Sequence, residues 1–289
     1  MGALALHGLG RHEPEVLGWY AQYCGKLDAI DAAPADYLEK LAESERALAD
    51  LGRDALLARE LPGLISGWTK NAFHPLIRLA YGYHFGIDGE IAAGLAYLKW
   101  CGPDETIGRL AESLEEATET ADIHAAFRSL AACATSLSSS TRFDDRIATV
   151  VAHPDFAGAA RTYPATLTSI SRAALNIFDQ THDFFALHLV TGAHAFRLLY
   201  PFAGKWRDET FSLGILAGYA AVGAPDFTTD QAKANEHAED SMAEAVSALT
   251  RKVQSDDDHD IKLAYSAMSQ AKHYEDRAYI EAASRYLDR

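Results

Sequence analysis

Apolar side chains recur along this chain at helical spacing. No run alternates apolar and polar residues for more than four positions, so the pattern predicts helices and no sheet. The most apolar stretch is 181–201. In it Phe184, Phe185, Leu187, Leu189, Val190, Phe196, Leu198 and Leu199 go all the way round the wheel, which predicts a mostly buried helix over 182–200. Three histidines interrupt it at six-residue intervals: His182, His188 and His194. Six helical steps turn each about 120° from the last, so the three point three ways and cannot all bind one metal. A buried imidazole needs a hydrogen bond, a water or a metal. His188 is the most deeply placed and the best ligand candidate. The alternative for it is a core histidine bonded to a backbone or hydroxyl group.

The rest of the pattern is also helical. Residues 3–9 read as a helix without a start signal. Glu13-Pro14-Glu15 opens a second, with proline in the first turn, and it is expected to carry Val16, Leu17, Trp19, Tyr20 and Tyr23 inward. An amphipathic helix runs from Asp36 to about Ala49, where Gly52 breaks it. Residues 62–68 read as a short irregular piece. Pro75 suits the first turn of a helix and biases the residue before it away from helical geometry. That places His74 at a helix entrance. Further helices are expected over 87–100, 122–135, 142–152, 164–180, 210–221, 230–252 and 276–287. The acidic residues of 111–119 are expected on a solvent-facing helix side, and 136–140 as a polar connector and candidate domain seam. The reading is all-α, roughly 14 to 17 helices in a single multi-helix domain over 1–289.

Composition narrows the function classes. The 289 residues are 48% hydrophobic, enough for a sizeable core. The net charge is −15 and basic residues form no long run, which argues against a nucleic-acid partner. Cys24, Cys101 and Cys133 are scattered and odd in number, so neither a disulfide framework nor a zinc ribbon is expected. There is no signal-peptide pattern and no apolar run long enough to span a membrane. A cytoplasmic protein is expected, whose metal chemistry would rest on its twelve histidines and its carboxylates.

No nucleotide-binding glycine loop, GxSxG or HExxH occurs. His182-Asp183 is a doublet like that of all-α metal-dependent phosphohydrolases, a weak signal by itself. His259 and Lys262 share a helical face. They belong either to a solvated polar stripe of His259, Lys262, Ser266, Ser269, Gln270 and His273, or to a metal site. In the second case Lys262, deprotonated beside a metal, adds carbon dioxide and becomes an anionic oxygen ligand, with His259 a ligand from the same turn.

Three segments in order carry a resemblance. They are Phe73-His74-Pro75-Leu76-Ile77-Arg78-Leu79-Ala80-Tyr81, then Leu187-His188-Leu189-Val190-Thr191-Gly192-Ala193-His194-Ala195-Phe196-Arg197, then Asp258-His259-Asp260-Ile261-Lys262-Leu263. An Ala-rich helix ending in Ala96-Tyr97-Leu98-Lys99-Trp100 follows the first. Together they resemble the questin oxidase-like family. The resemblance implies an all-helical, flavin-independent oxygenase that opens a ring of anthraquinone-type polyketides in Baeyer–Villiger-like fashion. Members are often described as NADPH-dependent, which admits NADPH as a co-substrate. It also implies non-haem iron held by His74, His188, His259 and a carboxylated Lys262, so these side chains are expected to converge. The implied partners are an aromatic small molecule and O2, without nucleic acid or membrane, and a homo-oligomer is compatible with them.

Arg78, one turn from His74, would orient a phenolate or carboxylate, or else form a structural ion pair. Phe73, Tyr81, Phe184 and Phe185 would line an aromatic pocket, or else be ordinary core. The family's Asn-His pair before the first helix has no counterpart in Leu4-Ala5-Leu6-His7-Gly8-Leu9-Gly10-Arg11. The expectation is that this fourth histidine falls at or before Met1, that His7 replaces it, or that the site is incomplete. The rivals are a phosphohydrolase built on His182 and Asp183 and an inactive helical binding protein.

Overall fold

The computed structural model describes residues 1–114, 123–135, 142–161, 166–226 and 241–289. Among these residues there is no strand, and the protein is all-α. The helices are α1 (Gly2–Gly8), α2 (Glu13–Cys24), α3 (Ala35–Leu51), α4 (Arg53–Glu60), α5 (His74–Phe85), α6 (Asp88–Cys101), α7 (Glu105–Leu114), α8 (Ile123–Ser129), α9 (Ala131–Thr135), α10 (Phe143–Val151), α11 (Pro154–Arg161), α12 (Leu167–Thr181), α13 (Phe184–Leu199), α14 (Arg207–Ala221), α15 (Met242–Lys252), α16 (Asp258–Tyr274) and α17 (Ala278–Leu287). None of them is long and apolar enough to cross a membrane.

The chain divides into two compact units. One joins Met1–Ala35 to Asp230–Arg289, and the other is Asp36–Thr229. The expected seam at 136–140 is therefore not where the division falls. Those residues, like 115–119 of the acidic stretch and 230–240 of the amphipathic one, lie outside the described residues.

In the larger unit α13 packs against α5, α12 and α14. The sequence explains why it sits at the centre: Ala186 to Phe196 is buried without a break. Packing α5 on α6 brings backbone to backbone, since a Cβ added at Gly82 would lie 2.6 Å from Ile91 N. The hairpin between them turns at Gly86, whose φ of 69° suits glycine. The irregular piece before α5 is two 3-10 turns, Leu61–Gly63 and Ile65–Gly67. They deliver Trp68 into the core, where its indole N–H donates to Thr210 O at 3.2 Å.

In the smaller unit α16 packs against α1 and α17. The α2 helix forms where its Glu-Pro-Glu start predicts, yet no residue of it is buried. Val16, Trp19 and Tyr23 are half-covered, while Leu17 and Tyr20 are 57% and 50% exposed. Val16, Trp19, Tyr20 and Tyr23 share one face at i, i+3, i+4, i+7 spacing, with Leu17 at its edge, and that face is covered only in part.

Candidate metal centre

His74 is delivered by an unusual turn. Asn71, Ala72 and Phe73 have φ of 48°, 50° and 66°. Left-handed backbone costs an L-residue roughly 1–2 kcal/mol, so three in succession need support from elsewhere. Asp144, in the first turn of α10, supplies part of it. Its Oδ2 accepts the Asn71 N–H at 2.9 Å and its Oδ1 the Ala72 N–H at 3.3 Å. The Asn71 side-chain amide donates to Cys101 Sγ at 3.0 Å. Phe73 is fully buried, with its ring 4.9 Å from that of Trp68 and 5.8 Å from that of Phe143. Gly192 makes room for it, because a Cβ there would lie 2.9 Å from the Phe73 ring. The turn sets Asn71 O at 2.7 Å from His74 Nδ1. A carbonyl only accepts, so Nδ1 carries the hydrogen and Nε2 presents the lone pair.

His188 follows the same rule by a simpler route. Its Nδ1 donates to Phe184 O, one helical turn back, at 2.8 Å, which again leaves Nε2 as the donor atom. The side chain is 1% exposed. Its ring centroid is 5.0 Å from that of His74, at an interplanar angle of 69°. The structure thus brings His74 and His188 together. His194 is fully buried, edge-on to Tyr81. Burial, helped by the charge of Arg197, holds its pKa well below the usual histidine value, as suits a neutral core imidazole.

The expected helix over 182–200 begins instead at Phe184. His182 is the left-handed cap of α12, with φ of 49°. Asp183 Oδ1 caps α13, accepting the N–H groups of Phe185 at 2.7 Å and Ala186 at 3.1 Å. The His-Asp doublet is the joint between two helices. One Asp183 oxygen is engaged by two orphan amides, and among the described residues neither His182 nor Asp183 belongs to a cluster that could hold a metal, which removes the support for the phosphohydrolase reading.

A cleft of about 270 Å³ opens beside His74, lined by Tyr97, Arg142, Phe143, Asp144 and Phe185 among others. Phe143 and Phe185 stack at 4.7 Å with an 8° interplanar angle. Of the aromatics expected in a pocket, only Phe185 lines this cleft. Phe73 and Tyr81 are core, and Phe184 is 49% exposed against the His188 ring. Arg78 is committed to Glu90, through Nε at 2.8 Å and Nη2 at 3.2 Å, which is the ion-pair alternative.

The smaller unit holds the other two candidates. Asp257 caps α16 by accepting the His259 N–H at 2.9 Å, and the same oxygen lies 2.9 Å from His259 Nδ1. Asp258 Oδ1 is 3.2 Å from that nitrogen, and Asp258 Oδ2 is 2.7 Å from Lys262 Nζ. Ligand atoms of Asp257, Asp258 and His259 all lie within 4.8 Å of one another. Burial alone would raise the Asp258 pKa. The hydrogen bond from His259 and the charge of Lys262 outweigh it and hold the carboxyl well below its usual range. His259 is shifted up, since its bonds to Asp258 and Asp257 outweigh its own desolvation.

The polar stripe on α16 does not face water. Lys262 is 2% exposed, and Ser266 and Gln270 are fully buried, while His273 at its far end is exposed. Lysine goes inside only with a partner, and Asp258, four residues earlier, is that partner. Reading the sequence missed Asp257, Asp258 and Tyr23. The i, i+4 spacing of Asp258 and Lys262 could have signalled the pair. Tyr23 carries no such signal. Burial, with the charge and hydrogen bond of Asp258, pushes its phenol up to about 12. None of Cys24, Cys101 and Cys133 is in a disulfide. His7 is exposed in the last turn of α1.

The questin oxidase-like family model matches residues 44–180 and 165–267. The match covers well over half of the chain, and the chain belongs to the questin oxidase-like family. It includes all four candidate ligands. No curated protein matches the chain. Family membership and the clustered histidines support a metal-binding, oxidoreductase-type protein.

Proposed function

We propose that this protein is a non-haem iron oxygenase that opens a ring of an anthraquinone-type or related aromatic polyketide, with O2 as co-substrate and NADPH as a reductant. Its iron ligands are His74, His188, His259 and Lys262. The observation that carries the reading is the shared orientation of the imidazoles. Each has Nδ1 bonded to an oxygen acceptor: Asn71 O, Phe184 O and the Asp257 carboxylate. Metal-ligating histidines are held in this way, with the other ring nitrogen turned to the ion. The donor set fits iron, for which imidazole is a suitable ligand. Lys262 fits by its burial, and in the ammonium form Asp258 neutralises it. Iron, when bound, would activate O2.

The remaining roles belong to the chain. The Phe143–Phe185 stack gives a flat ring system an apolar surface beside His74. Arg142 at the cleft supplies a cation for a phenolate or carboxylate. That task was first assigned to Arg78, which Glu90 engages instead.

An oxygen electrode tests the reading, with iron-loaded protein and a panel of reduced hydroxyanthraquinones, with and without NADPH. The expected result is substrate-dependent O2 uptake that the Lys262→Arg variant loses, because a guanidinium stays protonated and cannot add carbon dioxide. Equal uptake by protein and variant would reject it.

A further inference from the structure

We propose that Asp144 is a positioning residue for His74, acting through the left-handed turn at 71–73; the proposal rests on His74 being a metal ligand. His74 Nδ1 is oriented by a backbone carbonyl, Asn71 O at 2.7 Å. That carbonyl exists in place only while Asn71, Ala72 and Phe73 keep positive φ. Phe73 is held by packing and by its N–H bonds to Lys70 O and Thr69 O, and Asn71 by its side-chain bond to Cys101 Sγ, by its backbone N–H and by its carbonyl, which also accepts the His74 N–H at 3.1 Å. Ala72 has neither that packing nor a side-chain bond. A methyl side chain at φ 50° gains nothing from that conformation, and the interaction that pins its backbone is the bond to Asp144 Oδ1. Asp144 thus accepts two successive N–H groups with its two oxygens, from an element 72 and 73 residues away in sequence. His188 has no such dependence, since its carbonyl partner lies inside its own helix.

An asparagine at 144 keeps one acceptor oxygen and turns an NH2 group toward the second N–H. The turn then relaxes, the Asn71 carbonyl leaves His74 Nδ1, and the ring loses its fixed tautomer. Partners of this kind are worth about 10–100-fold in metal affinity. Two readouts on the full chain separate the possibilities. Nitrogen-15 NMR of histidine-labelled protein reports the His74 and His188 tautomers without metal. Titration with Co2+ reports affinity.

In Asp144→Asn we expect loss of the His74 Nδ1–H signature with that of His188 kept, and a 10–100-fold weaker Co2+ site. Adding Ala72→Gly, which accepts positive φ without strain, should restore both. A role in general packing, or a direct contact with substrate, would not be rescued at residue 72. Should Asp144→Asn fail to fold, Ala72→Val strains the same turn with Asp144 intact, and it should reproduce the His74 loss. An unchanged His74 signature in the folded Asp144→Asn variant, or in Ala72→Val, overturns the proposal. If the wild type binds no Co2+ while the His74 tautomer still follows Asp144 and Ala72, the positioning holds and the metal reading fails.

Discussion

The histidine pair of the larger unit and the His259–Lys262 pair of the smaller one are built on opposite electrostatic plans. His74 and His188 are oriented by neutral carbonyls, Asn71 O and Phe184 O. His259 and Lys262 are oriented by carboxylates, Asp257 and Asp258. A carbonyl fixes a tautomer without adding charge. A carboxylate also fixes a protonation state, and it needs a cation when buried. The neutral plan therefore depends on backbone shape, and the charged plan on keeping its charges balanced. Substitutions should damage the two sets by different routes.

The largest effect should come from deleting an imidazole in either set. His188→Ala and His259→Ala are each expected to leave a folded helical protein that no longer retains iron, as measured by metal analysis of freshly purified protein. If either variant keeps the wild-type complement, one set binds metal without the other. Next comes Lys262→Met, which leaves the Asp258 carboxylate buried without its cation. Breaking a buried pair costs about 3–5 kcal/mol. Chemical denaturation of the metal-free protein should show a loss of this size, with much of it recovered in the Lys262→Met/Asp258→Asn double variant. A loss under about 1 kcal/mol would mean that the pair behaves as a surface ion pair.

The smallest effect should come from Glu90→Gln, at the two-point Arg78–Glu90 pair near the neutral set. Burial raises the Glu90 pKa, but the hydrogen bond and charge of Arg78 more than reverse this, so its net shift is downward. A depressed carboxylate contributes stability above its unfolded pKa, about 4.3, and loses it as pH falls through the lower folded value. The variant should be less stable by about 1–2 kcal/mol at neutral pH, and the gap should narrow as pH falls below about 4.3 and close beneath the lower folded value. A gap independent of pH would assign the loss to packing.

How far each set could be read in the sequence follows from the same contrast. The all-helical fold, the buried α13 and His74 at the start of α5 all rest on local signals: periodicity, proline at a helix entrance, and glycine at Gly52. The His74 turn rests on a contact between residues 71 and 144; Asn71 tolerates left-handed backbone, but nothing nearby announces it in Ala72 and Phe73, which disfavour it. The exposure of Leu17 and Tyr20 was unreadable for a similar reason, since apolar pattern does not say whether a partner surface exists. For Lys262 the local pattern leaves a solvated stripe and a metal site both open, because composition ranks lysine outside. Its counterion Asp258 lies four residues earlier, a spacing that is common on solvated helices and does not by itself announce a buried pair.

The division of the chain also has a consequence for biosynthesis. The smaller unit is made of the first and last parts of the sequence, with the larger unit inserted between them. Emerging at roughly 5–20 residues per second, Asp36–Thr229 is complete before residues 230–289 follow. The carbonyl-oriented histidines can reach their final geometry while α1, already made, still lacks α16 to pack against. A chain truncated after residue 229 should protect the α5 and α13 amides from hydrogen exchange and leave those of α1 open.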